Sequence, residues 1–169
     1  VPGDLQQCAD SILRVRAEWL RDQGEEVSFY ATSGDPLPWS RWQAGERPYA
    51  PGNKVLWKPG TKGGWDEYLA AVFNWAGTVS LQSYETVAVD APRAGDILVE
   101  GGFPGHAVLL LDVATRGEET FVLVGEGFMP AQSFHVELGP HQGWWRMDGG
   151  LALPVWSFEA SHLRRWKGE

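Results

Sequence analysis

The stretch Asp4-Leu5-Gln6-Gln7-Cys8-Ala9-Asp10-Ser11-Ile12-Leu13-Arg14-Val15-Arg16-Ala17-Glu18-Trp19-Leu20-Arg21 opens the chain as a helix. Asp4 followed three places later by Gln7 has the pattern of a capping box. Leu5, Cys8, Ile12, Val15 and Trp19 then recur at spacings of three or four, which predicts one apolar face. Arg14, Arg16, Glu18 and Arg21 fall mostly off it, and Gly24 ends the helix. Cys8, the one cysteine of the chain, lies within the first turn or so.

The segments after this helix decide the fold class. Val27 to Thr32 reads as a strand. Residues 33 to about 64 are rich in Gly, Pro and Trp and read as a long, partly ordered loop, with a short strand near Val55 to Trp57. Loops of this length are often functional. Trp65 to Ala76 is a second amphipathic helix, with Tyr68, Leu69, Val72 and Phe73 on its apolar face. Thereafter strands are predicted at 86–89, 97–99, 107–113, 121–125, 134–138 and 153–155, with a hairpin turn at Arg116-Gly117-Glu118. The expected class is α+β, a leading helix packed on an antiparallel sheet, with residues 1–169 as a single domain.

Composition narrows the function. With 169 residues the chain can bury a sizeable core, and 43 % hydrophobic residues exclude a disordered chain. No apolar run reaches the roughly 20 residues needed to span a bilayer. A net charge of −8 argues against nucleic acid as a partner, because phosphate binding needs a basic face. The chain is expected to be a monomer. It opens on Val1-Pro2-Gly3 without an initiator Met or signal peptide, as a mature or excised piece of a longer chain would. The compartment is therefore not legible in it.

Cys8 has two readings. At a helix N-terminus, unpaired backbone N–H groups and the positive end of the dipole favour an anion, and the thiolate is the reactive form of cysteine. The same N–H groups can hold an oxyanion. Free cysteine is also among the most buried residue types, and helix position alone favours that plainer reading. His106 shifts the balance. In Gly101-Gly102-Phe103-Pro104-Gly105-His106-Ala107-Val108-Leu109-Leu110-Leu111-Asp112 a Gly/Pro turn delivers a histidine to the mouth of an apolar strand. There an imidazole can act as base and then acid, or cap a core strand. Glu126 ends the next predicted strand, so a hairpin makes it a cross-strand neighbour of His106, about 5 Å away between Cβ atoms. It can orient the ring or be a solvated strand end. Gln132 is a second candidate orienter or substrate contact. His135, within a strand, and His141 and His162, in polar surroundings, are less promising.

Metal chemistry is not indicated: there is no His-x-x-x-His pair, no second Cys, and the four histidines are scattered. No Gly-x-Ser-x-Gly motif or phosphate-binding glycine loop occurs, and no cofactor is expected. Among ten tryptophans, Trp39 and Trp42 lie in the long loop with Arg41 and Arg47. They offer a stacking surface for substrate, or they pin the loop to the core.

Five blocks resemble the bacterial domain-of-unknown-function family numbered 4846. They are Asp4 to Ser11, Ala76-Gly77-Thr78-Val79-Ser80-Leu81, Gly95-Asp96-Ile97-Leu98-Val99, Gly102 to Val108, and Phe128-Met129-Pro130-Ala131-Gln132. Similarity continues to Pro154-Val155-Trp156-Ser157-Phe158, in order. Members of that family carry a further N-terminal region before the Gln-Gln-Cys motif, and a Gln-Ser pair is associated with the position held here by Glu126-Gly127. The arrangement is also similar to papain-like hydrolases of the CHAP and NlpC type. In those a Cys opens a helix, a Gly-His strand supplies the base, and the next strand a polar orienter. The segment Pro92-Arg93-Ala94-Gly95-Asp96 resembles the one that precedes their His strand.

The resemblance implies a papain-like fold and a thiol-dependent amidase or peptidase. Cys8, His106 and Glu126 would be catalytic, Gln7 would stand at the oxyanion, and Gln132, Trp39 and Trp42 would contact substrate. The substrate it implies is a peptide or peptidoglycan-like amide, and it favours the cell envelope or exterior as the location. The alternatives are a glycan- or peptide-binding module on a hydrolase-like fold, and a toxin or effector domain.

Overall fold

The computed structural model describes residues 7–128 and 133–169. Helix α1 runs Cys8–Asp22 and helix α2 runs Trp65–Trp75. The main sheet comprises β1 (Thr86–Ala88), β2 (Ile97–Glu100), β3 (His106–Arg116), β4 (Glu119–Glu126), β5 (His135–Glu137), β6 (Trp145–Met147) and β7 (Leu163–Trp166). All its pairings are antiparallel, in the order β6-β4-β3-β2-β7-β1, and β5 also pairs with β4. The class is therefore α+β, as expected. No helix among the described residues is long and apolar enough to cross a membrane.

The unbroken apolar run of β3 has a simple cause: both faces of the sheet are covered. Ala107 and Leu109 join Ile97, Val99 and the α1 residues Ala9, Ile12, Leu13, Ala17 and Leu20 in one core. Val108 and Leu110 join Leu98, Val122 and Val124 on the opposite face, under Leu151, Leu153 and Phe158. The latter residues belong to a hairpin segment with strands Gly150–Ala152 and Ser157–Glu159, in place of the strand expected over 153–155.

The face of α1 also differs from expectation. Val15 and Trp19 are 42 % and 45 % exposed. The series Ala9, Ile12/Leu13, Ala17, Leu20 has the same helical spacing and is the one that meets the sheet. Trp19 instead lies under the Arg16 guanidinium, 4.5 Å from its ring centroid.

Residues 33–64 are not a loose loop. They hold the strand Pro36–Pro38, which pairs with Ser28–Tyr30, a short helix Trp39–Gln43, and the hairpin Glu46–Tyr49/Leu56–Pro59. Trp39 packs against Trp65 and Tyr68 at ring separations of 5.2 and 5.1 Å, and Trp42 against Tyr68 at 6.0 Å. The buried Tyr68 hydroxyl donates to the Leu37 carbonyl at 2.7 Å. The two tryptophans thus pin this segment to α2.

The last strand, β7, has no counterpart among the expected strands. Leu163-Arg164-Arg165-Trp166 pairs with β2 on one side and β1 on the other. Its arginines are satisfied within the fold. Arg165 makes a two-pronged ion pair with the buried Asp96, with both N–O distances 2.7 Å. The Arg164 Nε donates to Thr86 Oγ1 at 2.9 Å.

Candidate active site

The helix α1 begins at Cys8, not at Leu5. Gln7 is its N-cap in extended conformation, and Asp4, Leu5 and Gln6 lie outside the described residues. Among the described residues the capping contact comes from Asp10, whose carboxylate accepts the Gln7 backbone N–H at 2.8 Å; the expected Asp4 box lies outside them. Cys8 is therefore the first helical residue, with its own N–H among the unpaired donors of the helix end. Burial pushes the Asp10 carboxyl up to about 6, against the Gln7 N–H, which pulls it down.

His106 is the first residue of β3 and is 3 % exposed. Glycine is what allows the chain to reach it. A Cβ on Gly105 would stand 2.5 Å from Thr78 Oγ1 and 2.7 Å from the Glu100 carbonyl, so the turn can run tight against Thr78 only without a side chain. The ring is then enclosed by Phe128 and Trp156, each at 5.5 Å, and by Phe158 stacked at 5.9 Å.

Glu126 ends β4 and is 4 % exposed. Leu109 lies opposite Gly125, so the register sets Glu126 two residues from the position opposite His106. They are diagonal neighbours on one face rather than a direct pair. Glu126 Oε2 lies 3.2 Å from His106 Nε2. Cys8 lies close enough to the same ring to raise its titration. Glu126 engages Nε2, and the second ring nitrogen is Nδ1. Burial draws His106 down, but Cys8 and Glu126 outweigh it and raise the imidazole to about 9. At neutral pH the ring carries both protons.

Gly127 brings the helix to this strand end. A Cβ there would stand 2.5 Å from Ser11 Oγ and 3.3 Å from the Gln7 carbonyl. The glycine thus permits α1 to lie directly on the end of β4, which sets Cys8 beside His106.

A cleft of about 340 Å³ opens next to the sulfur. Gln7, Cys8 and Asp10 line one side, Thr78 and the Gly102–Gly105 turn the other, with Trp75 at the wall. Phe103, 90 % exposed, stands at its rim. Of the residues expected at the site, Cys8, His106, Glu126 and Gln7 come together. Trp39 and Trp42 do not line this cleft; their packing on Tyr68 is the structural reading. Gln132 lies outside the described residues.

Sequence reasoning misses Asp10, Thr78 and the aromatic enclosure of His106. It also undervalues His135, which faces Glu126. The ligand atoms of Glu126, His135 and Glu137 all lie within 4.8 Å of one another. The alternation His135-x-Glu137 is the available signal, but its meaning depends on the β4–β5 register.

A buried thiol–imidazole–carboxylate row at a helix N-terminus, on an α+β fold with an antiparallel sheet, is the class of site this chain presents. The chain belongs to the family described as a domain of unknown function (4846), whose model matches residues 2–165. Comparison with curated proteins and with solved structures gives no match.

Proposed function

We propose that this protein is a thiol-dependent amide hydrolase with a papain-like arrangement, similar to CHAP and NlpC-type enzymes. The observation that carries the reading is the row Cys8–His106–Glu126, in which Glu126 Oε2 lies 3.2 Å from His106 Nε2, Cys8 acts on the same ring, and Cys8 lines an open cleft. An imidazolium and a helix N-terminus both favour thiolate over thiol.

These positions define the chemistry. The Cys8 sulfur attacks a substrate carbonyl carbon, and the carbonyl electron pair moves to oxygen. Backbone N–H groups at the start of α1, with Gln7 beside them, receive that oxyanion. The C–N bond then breaks, and the leaving amine takes the proton from His106 Nδ1. Water attacks the thioester while His106 accepts its proton, releasing the acid and regenerating the thiolate. Glu126 holds the ring through Nε2 and balances its charge throughout. The substrate class we assign is a peptide or peptidoglycan-like amide. Phe103 and Trp75 line the cleft and offer apolar contacts.

Purified protein and Cys8→Ala are incubated with peptidoglycan fragments, and released amines are quantified. Product from the wild type alone is expected, and equal product from both would refute the mechanism. Iodoacetamide at pH near 6 should alkylate Cys8 far faster than a model thiol. A rate no faster would favour a binding module without turnover.

A further inference from the structure

On the side of Glu126 away from Cys8, antiparallel pairing of β4 with β5 sets Glu126 opposite His135 and Val124 opposite Glu137. His135 and Glu137 are two apart on one strand, so they share a face, and Glu126 is the direct neighbour of one and the diagonal neighbour of the other. Two carboxylates and an imidazole converge there. The side-chain exposures of Glu126, His135 and Glu137 rise from 5 % through 24 % for Glu137 to 38 % for His135, so the group opens to solvent at its outer end.

The orientation of His135 is informative. Its Nδ1 lies 3.1 Å from the Ser133 carbonyl, which can only accept, so Nδ1 carries the proton. Nε2 then faces Glu137 Oε2 at 3.4 Å. A histidine held through one nitrogen by a backbone carbonyl, with the other turned toward carboxylates, is the usual arrangement of a metal-ligating imidazole. Bonds of about 2.0–2.2 Å put neighbouring ligand atoms of a tetrahedral zinc site about 3.4 Å apart. The His135–Glu137 separation already has that value, and the outer limit of 4.8 Å leaves a closure of at most about 1.4 Å for Glu126.

We propose that Glu126, His135 and Glu137 form a binding site for a divalent first-row cation of the zinc class, sharing the Glu126 carboxylate with His106. Three protein ligands of N and O type fit such an ion and leave a fourth position for water. A carboxylate has two oxygens, so one can keep His106 while the other meets the cation. The site does not depend on the hydrolase reading.

Titration calorimetry of the EDTA-treated full chain with ZnCl2 tests it. One ion per chain is expected. Affinity should fall about tenfold or more in His135→Ala and in Glu137→Gln, with melting temperatures compared in EDTA to check folding. Cys8→Ala should retain the ion. Cobalt(II) on the wild-type chain gives a readout that needs no variant: visible d–d bands without a thiolate charge-transfer band are expected. Absence of saturable binding would overturn the proposal. So would binding lost in Cys8→Ala but kept in His135→Ala, or a thiolate band with cobalt, since either puts the ion on Cys8.

Discussion

Removing Cys8 should change the titration of His106. The imidazole stands at about 9 against an ordinary 6.5, although burial pulls it down. That difference is about 3 kcal/mol in favour of the protonated ring, at about 1.4 kcal/mol per unit. It is the surplus left after burial, so Cys8 and Glu126 together contribute more than this. If they share it evenly, Cys8→Ala lowers the titration by about one to two units, to between about 7 and 8. In Cys8→Ala/Glu126→Gln burial acts unopposed, and the ring should titrate at or below about 6.5. The assay is heteronuclear NMR of the imidazole C–H resonances against pH, in EDTA. Four histidines contribute signals, and His106→Asn assigns the one of interest. A wild-type His106 titrating near 6.5 would refute the reasoning. So would a double variant that still titrates above about 8, because neither partner would then be the cause.

Stability should fall as pH rises through neutrality. Burial raises Glu85 from an ordinary 4.5 to about 7, while its bond from the Tyr30 N–H, at 2.5 Å, opposes this. A raised carboxyl binds its proton more tightly folded than unfolded, so its contribution is present below about 4.5 and lost as pH passes about 7, amounting to about 3 kcal/mol. In urea unfolding, the stability of Glu85→Gln relative to wild type should therefore increase by that amount between those pH values. A difference independent of pH would contradict it. Arg165→Ala should lower stability by leaving the buried Asp96 carboxylate without its cation, and an unchanged urea midpoint in the same measurement would rule out a structural role for the pair. Trp42→Ala should lose about 3–5 kcal/mol of stability yet leave Cys8 alkylation at pH 6 unchanged. A slowed alkylation at equal folding would instead return Trp42 to the site.

The residues that carry the site are legible because each announces itself locally. A cysteine at a helix start, a histidine after a Gly/Pro turn and a glutamate ending an apolar strand need only short-range patterns. The hairpin topology then joins the last two. The features hidden from the sequence depend on partners far along the chain. Two faces of α1 have the same spacing, and only the sheet decides that Leu13 and Ala17 go inward while Val15 and Trp19 do not. The arginines of β7 look solvated until Asp96 and Thr86 are seen beside them. Trp39 and Trp42 have the composition of a stacking surface, and their packing on Tyr68 makes them a clamp. Gly127 carries no chemistry of its own, and its role as the seat of the helix is visible only against Ser11.

The place of β7 has a consequence for biosynthesis. It fills the gap between β2 and β1, and Arg164 reaches Thr86 across 78 residues of chain. On the ribosome, that gap stays open until these residues have emerged. Until then β1 and β2 each present a free edge, which invites pairing with other chains, and closure waits on a contact of long sequence separation. Translation that stops before Leu163 would yield a product with every proposed catalytic residue and no means of closing its sheet. Such a product is expected to aggregate or be degraded rather than act as a weak enzyme.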